Sequence, residues 1–184
     1  MGNVREVPPA ALVAGITFSE RAALDSALPI LVGEFGPIEM ESPEFPFDMT
    51  DYYTGEMGEN LRKRFCCFRR PVRMETLAAI KLRTNDMEQT HARRSGDDIV
   101  RRVNIDPGYV TLAKLVLATT KDYSHRIYIG GGIYAETTLR FHGGSFAPFE
   151  TTYPDYRTPL AIGFFNQVRE YVKRNGRAWI RKTA

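Results

Sequence analysis

Leu12 to Phe18 is a near-continuous apolar run of strand length, and it reads as a buried first strand. Ser19 follows as a good N-cap for a helix over ERAALDSAL, which Pro29 is expected to stop or kink. In EFGPIEMESPEFPFD three prolines interrupt alternating apolar positions, which predicts a short strand around Ile38 to Glu41 and then a loop to Gly58. LRKRFCCFRR has the pattern of a strand with charged flanks. METLAAIKLRTNDMEQ has that of a helix whose apolar stripe runs through Met74, Leu77, Ala78 and Leu82. A linker at Ser95 to Asp98 leads to a strand over Ile99 to Ile105.

Beyond this point the pattern changes. Three strand-like runs, Thr111 to Thr119, Arg126 to Ile129 and Ile133 to Phe141, are separated by the turn-forming segments TKDYS and GGG, as in an antiparallel meander. Thr158 as N-cap and Pro159 at the first helical position announce a last helix with the stripe Leu160, Phe164, Val168 and Val172. Gly176, after the basic turn of Lys173 and Arg174, predicts its end. Up to Ile105 the order is βαββαβ, the split-βαβ order of ferredoxin-like folds. The expected class is α+β in a single domain over 1–184, with a ferredoxin-like part over 10–105 and the meander plus C-terminal helix over 106–184.

A chain of 184 residues can bury about 70% of the surface its unfolded form exposes, so its core needs neither metal nor disulfide. With 43% hydrophobic and 26% charged residues, and no run approaching the ~20 apolar residues of a membrane span, the composition excludes a membrane-spanning protein. Nothing near Met1 has the form of an export signal. Cys66 and Cys67 are adjacent and would point to opposite faces of a strand, so a bridge between them is not expected. A reducing cytoplasm is the expected location.

The net charge of +3 conceals an uneven distribution. Residues 1–60 carry two basic and eleven acidic side chains, residues 61–102 twelve and five, and residues 103–184 eleven and six. Either the acidic and basic segments neutralise each other across one surface, or the basic part is an anion-binding face.

The candidate chemistry lies in several clusters. Asp106-Pro107-Gly108-Tyr109 fits a type II turn, with Asn104 and Tyr109 left over as candidate ligand-binding residues. TTKDYSHR is the densest polar cluster: Lys121 and Arg126 can bind an anion, and Asp122 with His125 can act as an acid/base pair. In a simple meander the DPGY and GGG turns share one end of the sheet and KDYSH the other, about 27 Å away, so their turn residues alone could not form one pocket. A sheet face could join them. Alternation puts Tyr134, Glu136, Thr138 and Arg140 on one side of the last strand, opposite Ile133, Ala135, Leu139 and Phe141, with Tyr128 on the neighbouring strand; Tyr128 and Tyr134 are candidate ligand-binding residues and Glu136 is the third catalytic candidate. The acidic loop brings Asp48, Asp51, Glu56 and Glu59 near Tyr52 and Tyr53. Two such carboxylates with water can hold Mg²⁺, and Asp48 is the candidate ligand. TTYPDYR offers a second Pro-Asp-aromatic group ahead of the last helix. Phosphate-loop, dinucleotide-binding, nucleophile-elbow and zinc-site spacings are absent from the sequence.

The segments GPIEMESPEFPFDMTDYY, IKLRTND, RRVNIDPGYVTLAKLVLATTKDYSHRIYIGGGIYAETTL and TYPDYR together resemble a family of bacterial and archaeal proteins of about this length, catalogued only as a domain of unknown function. The resemblance covers nearly the whole chain. Some members carry an automatic "GTP-binding protein" label, which implies a nucleotide. This chain has Thr120-Lys121-Asp122 without the intervening residue of the guanine motif [NT]-K-x-D, and no phosphate loop, so a GTPase of the usual type is not expected.

Three functions follow as expectations. The first is binding of, or action on, a small phosphate-bearing ligand through Lys121, Asp122, His125, Arg126 and Glu136. The second is an RNA-binding module using the tyrosines and the clustered Arg62, Lys63, Arg64, Arg69, Arg70, Arg101 and Arg102. The third is an interaction subunit whose acidic first third meets a basic partner or a second copy of itself.

Overall fold

The computed structural model describes residues 2–3, 6–49, 54–95 and 98–183. Its centre is strand β1 (Ala10–Phe18), buried at every position, as a strand covered on both faces must be. β1 is flanked by β4 (Arg62–Val72) and β7 (Val103–Val110), and β2 (Ile38–Glu41) lies beyond β4. The spatial order β7-β1-β4-β2, with helix α1 (Arg21–Phe35) after β1 and α3 (Leu77–Thr90) after β4, is the ferredoxin-like arrangement. Two short elements fill the expected loop to Gly58: β3 (Phe45–Pro46), paired with β4, and α2 (Thr54–Met57). β8 (Lys114–Thr119), β9 (Ile127–Gly130), β10 (Ile133–His142) and β11 (Ser145–Pro148) extend the same sheet on the β7 side. Among the described residues it holds nine strands, every pair antiparallel. A separate hairpin, β5 (Arg93–Ser95) and β6 (Asp98–Val100), stands where a linker was expected.

Helices α1 and α3 cover one face of the sheet, and α4 (Pro159–Thr183) covers the other. Cys66 lies in the α1/α3 core and Cys67 in the α4 core, the opposite facing expected of neighbours on a strand, and both are free thiols. Burial pushes the Cys66 thiol up to about 12. Among the described residues no helix is long and apolar enough to cross a membrane.

Several local expectations fail for physical reasons. Helix α1 is capped by Glu20 without a side-chain bond, not by Ser19, and it continues through Pro29, which is exposed. Helix α4 starts at Pro159, with the Thr158 hydroxyl accepting from the Ala161 N–H at 3.2 Å, but it runs past Gly176 because Trp179 still packs against Tyr171. On α3 the buried face runs through Leu77, Ile80, Lys81, Thr84, Met87 and Glu88 and leaves Leu82 exposed, so the stripe is rotated and partly polar.

The largest correction concerns DPGY. It is no turn: β7 passes straight through it, with Asp106 opposite Gly15, Pro107 opposite Ala14 and Gly108 opposite Val13. Gly108 is required by crowding and not by a left-handed φ, since a Cβ there would lie 2.3 Å from the Val116 carbonyl oxygen and 2.6 Å from a Leu117 methyl. The chain reverses later, where the Thr111 N–H donates to the Lys114 carbonyl at 2.9 Å.

The uneven charge resolves largely within the fold. Arg64 pairs with Glu41 and Glu44, Arg69 with Glu39, Arg101 with Glu56 and Arg102 with Glu20, so basic β4 and the two arginines just before β7 meet acids from the first third of the chain. Most of these pairs are exposed, where each contributes about 0–1 kcal/mol.

Candidate functional site

Strands β7 and β8 part company midway. β7 pairs with β1 along its full length but with β8 only over Gly108–Val110, so its first half has an open edge. Helix α3 closes that edge with side chains: the Ile105 N–H donates to Glu88 Oε1 at 2.7 Å, and Lys81 Nζ donates to the Ile105 carbonyl at 2.8 Å. Alternate residues of a strand point their backbone groups the same way, so Pro107, two positions from Ile105, lacks its N–H on this same edge, where a ladder with β8 could not continue.

The gap between the parting strands is a cavity of about 590 Å³. Lys63, Asn104 and Asp106 from the sheet, Lys81, Asn85, Glu88 and Gln89 from α3, and Glu56 with Arg101 form one wall. The end of β8 with the two residues after it, Leu117 to Lys121, together with Tyr123, Arg126 and Glu136, forms the other, and Phe47, Met49 and Tyr153 to Tyr156 close it off.

The first wall is a chain of alternating charges. Asp155 Oδ2 lies 2.8 Å from Lys63 Nζ, which is 3.5 Å from Asp106. Asp106 is 3.9 Å from Lys81, and Lys81 is 3.7 Å from Glu88. Glu88 accepts from Arg101 at 2.9 Å, and Arg101 reaches Glu56 at 2.7 Å. Lys63 is almost fully buried, with the Phe47 and Tyr156 rings 5.0 and 4.8 Å from its ammonium. Gly15 makes room for it: a Cβ there would lie 2.6 Å from the Tyr156 hydroxyl and 2.8 Å from Lys63 Cε. Burial works against the Lys63 charge, but Asp155 and Asp106 hold its pKa above the ordinary lysine value. Burial likewise opposes the Asp106 carboxylate, yet Lys63 and Lys81 hold it below the usual range; Asn104 donates to it at 3.0 Å. At Glu88 burial wins, and the carboxyl is pushed up despite Lys81. The neighbouring Thr17 hydroxyl on β1 is buried with no hydrogen-bond partner among the described residues.

The second wall is built around Arg126, whose side chain is 1% exposed. Its Nε donates to Glu136 at 2.8 Å, Nη1 to the Lys121 carbonyl at 3.1 Å and Nη2 to the Tyr153 hydroxyl at 2.8 Å, while the Tyr123 ring lies 4.4 Å away. Burial lowers its pKa, but Tyr153 and Glu136 outweigh this and raise it. His125 Nε2 sits 3.2 Å from Glu136 Oε2.

Of the predicted residues, Asn104, Lys121, Arg126 and Glu136 line the cavity, and His125 touches it through Glu136. The separation of DPGY from KDYSH is overturned, because Asp106 is a strand residue facing the gap that Lys121 also faces. Asp122 is exposed and bonds Tyr134, and Tyr134 packs edge-on against Tyr128 at 5.5 Å, so this trio lies outside the cavity lining. Tyr109 has the opposite strand parity from Asn104 and packs on the α3 face with Val116 and Ala118. The expected alternation along β10 breaks at a register shift between Thr137 and Leu139. Ile133 and Ala135 therefore face α3, while Leu139 and Phe141 face α4. Asp48 is exposed between Phe47 and Met49, which line the cavity. Asp51, Tyr52 and Tyr53 lie outside the described residues. Among the described residues, no group of three or more His, Cys, Asp or Glu side chains could hold a metal ion.

Lys81, Glu88 and Asp155 are not among the site residues expected from sequence, and Lys63 appears there only in the basic cluster of the RNA reading. For α3 a signal existed, since Lys81, Thr84 and Glu88 recur at helical spacing on the same side as Leu77 and Ile80. The Asp of TTYPDYR was another, as Asp155 is buried in a 3₁₀ turn that seats it against Lys63.

These features define an α+β protein with a charge-lined cavity at the splayed end of an antiparallel sheet. The chain belongs to a family described as a domain of unknown function (DUF4416), whose family model matches residues 8–171. No curated protein and no solved structure matches it.

Proposed function

We propose that the protein binds, and is a candidate to act on, a small phosphate-bearing ligand in the cavity between β7 and β8. The observation that carries this reading is convergence: Lys63, Lys81, Arg101, Lys121 and Arg126, from separate segments of the chain, all line one cavity of about 590 Å³, within the usual size of small-ligand sites. The carboxylates beside them hold Lys63, Lys81, Arg101 and Arg126 in place before any ligand arrives. Acid/base chemistry would draw on the contacting His125 and Glu136. A nucleotide is one ligand of this class, bound by a site of another design than the phosphate loop. Mg²⁺ carried in with the phosphate would suit a lining that already contains as many carboxylates as cations. Two buried free thiols support a reducing cytoplasm as the location.

The RNA reading draws less support, because α1 and α3 cover one face of the sheet and α4 the other, leaving little of the open sheet face on which such a module stacks bases. A thermal-shift panel of nucleotides and sugar phosphates, with and without Mg²⁺, tests the proposal. A ligand at 100 times its Kd should stabilise by about 2.7 kcal/mol and raise Tm by several degrees. Lys121→Ala should abolish that rise. If no member of the panel moves Tm in either condition, the proposal is wrong.

A further inference from the structure

The cations of the cavity are held by partners within the chain, but some neutral polar groups are not. Helix α3 sends Lys81, Asn85 and Gln89 into the lining at successive turns, with Glu88 beside them. Lys81 and Glu88 are engaged with the backbone of Ile105. Asn85 is half-buried, Gln89 is exposed, and neither carboxamide has a hydrogen-bond partner among the described residues. On the facing wall, Thr120, next to Lys121, is likewise unengaged.

A carboxamide presents donors and an acceptor together. A phosphate group, which only accepts when ionised, can satisfy the N–H groups but leaves the amide oxygens without partners. A hydroxyl both donates and accepts, so two carboxamides one helical turn apart match neighbouring hydroxyls on a sugar or polyol ring. From this we infer that the ligand is a polyhydroxylated phosphate ester, its hydroxyls read by Asn85 and Gln89 while Lys121 faces the phosphate. This inference rests on the phosphate-ligand reading of the cavity. The hydroxyls could belong to a free sugar phosphate or to the ribose of a nucleotide; the chemistry at α3 is the same.

The test is calorimetric titration of the full chain with ribose 5-phosphate, adenosine monophosphate and butyl phosphate, which share a phosphate monoester but differ in hydroxyls and base. At least one of the first two should bind about tenfold or more tightly than butyl phosphate, the gain of one or two net hydrogen bonds. The double variant Asn85→Ala, Gln89→Ala should erase that ratio without weakening butyl phosphate, whereas Lys121→Ala should weaken all ligands that bind. Tighter binding of ribose 5-phosphate would identify a sugar phosphate, and tighter binding of the monophosphate a nucleotide. Equal affinity for butyl phosphate, or a double variant with an unchanged ratio, overturns the polyol inference and leaves phosphate binding standing. Absence of binding by all three removes both.

Discussion

The two walls of the cavity are built on different principles. The wall of β4, β7 and α3 is an extended row in which each inner charge has two opposite neighbours and the end members Asp155 and Glu56 have one, at 2.7 to 3.9 Å, most of them from segments remote in sequence. The wall of β8 to β10 is a compact knot in which one arginine, Arg126, ties Glu136, Tyr153 and the Lys121 carbonyl together within a short stretch. A knot keeps the turn after β8 in shape if any one contact fails. A row has less reserve, because removing one member takes an opposite charge from each neighbour and can leave the end member Asp155 buried and unpaired.

The sharpest way to break this contrast is Lys63→Ala, which strands buried Asp155 and leaves Asp106 with only Lys81 at 3.9 Å and the Asn104 amide. It should cost about 3–5 kcal/mol and lower Tm by roughly 10 °C in a thermal melt. A loss under 1 kcal/mol would show that the row is dispensable. Next in size is Gly108→Ala. The added Cβ meets the Val116 backbone carbonyl as well as a Leu117 methyl, so a loss of about 1–3 kcal/mol in chemical denaturation is expected, because β8 must shift. A neutral outcome would mean that the strands part more freely than their packing implies.

The smallest effect is in the acid limb. Asp106 has its pKa held below the ordinary value, so it contributes stability above about pH 4 that is lost as pH falls through its folded pKa. Glu88, whose pKa is raised, has the opposite sign: its ionised form costs stability, and the cost is relieved as pH falls through the raised folded pKa. Denaturant midpoints at pH 2–5 should therefore show wild type losing more stability than Asp106→Asn on acidification, so that the two converge. Parallel curves would mean that Asp106 is not held as an ion pair.

The same contrast explains what could be read in advance. The knot was visible in sequence because TTKDYSHR places Lys121, His125 and Arg126 side by side, and alternation on β10 adds Glu136. The row was not, because its members are single charges inside apolar or basic runs: Lys63 among LRKRFCCFRR, Lys81 among AAIKL, Asp106 in what looked like a turn. DPGY was misread for a definite reason. Proline then glycine suits a type II turn, where glycine takes a positive φ, and is equally compatible with an extended strand crowded by a neighbour, and only the neighbours Val116 and Leu117 show which applies. The stripe of α3 was misplaced because it was drawn through apolar residues, whereas Lys81 and Glu88 are buried by completing the open edge of β7.

Local sequence determined what depends on neighbours along the chain: the apolar run of β1, the opposed facing of Cys66 and Cys67, the start of α4 at Thr158-Pro159, and an element order compatible with the ferredoxin-like sheet. Tertiary structure alone decided where β7 and β8 part, how far α1 and α4 run past Pro29 and Gly176, and which isolated charges meet. The reason is that periodicity and caps act over a few residues. Burying a charge becomes tolerable only when an opposite charge arrives from a distant segment, and no local pattern records that arrival.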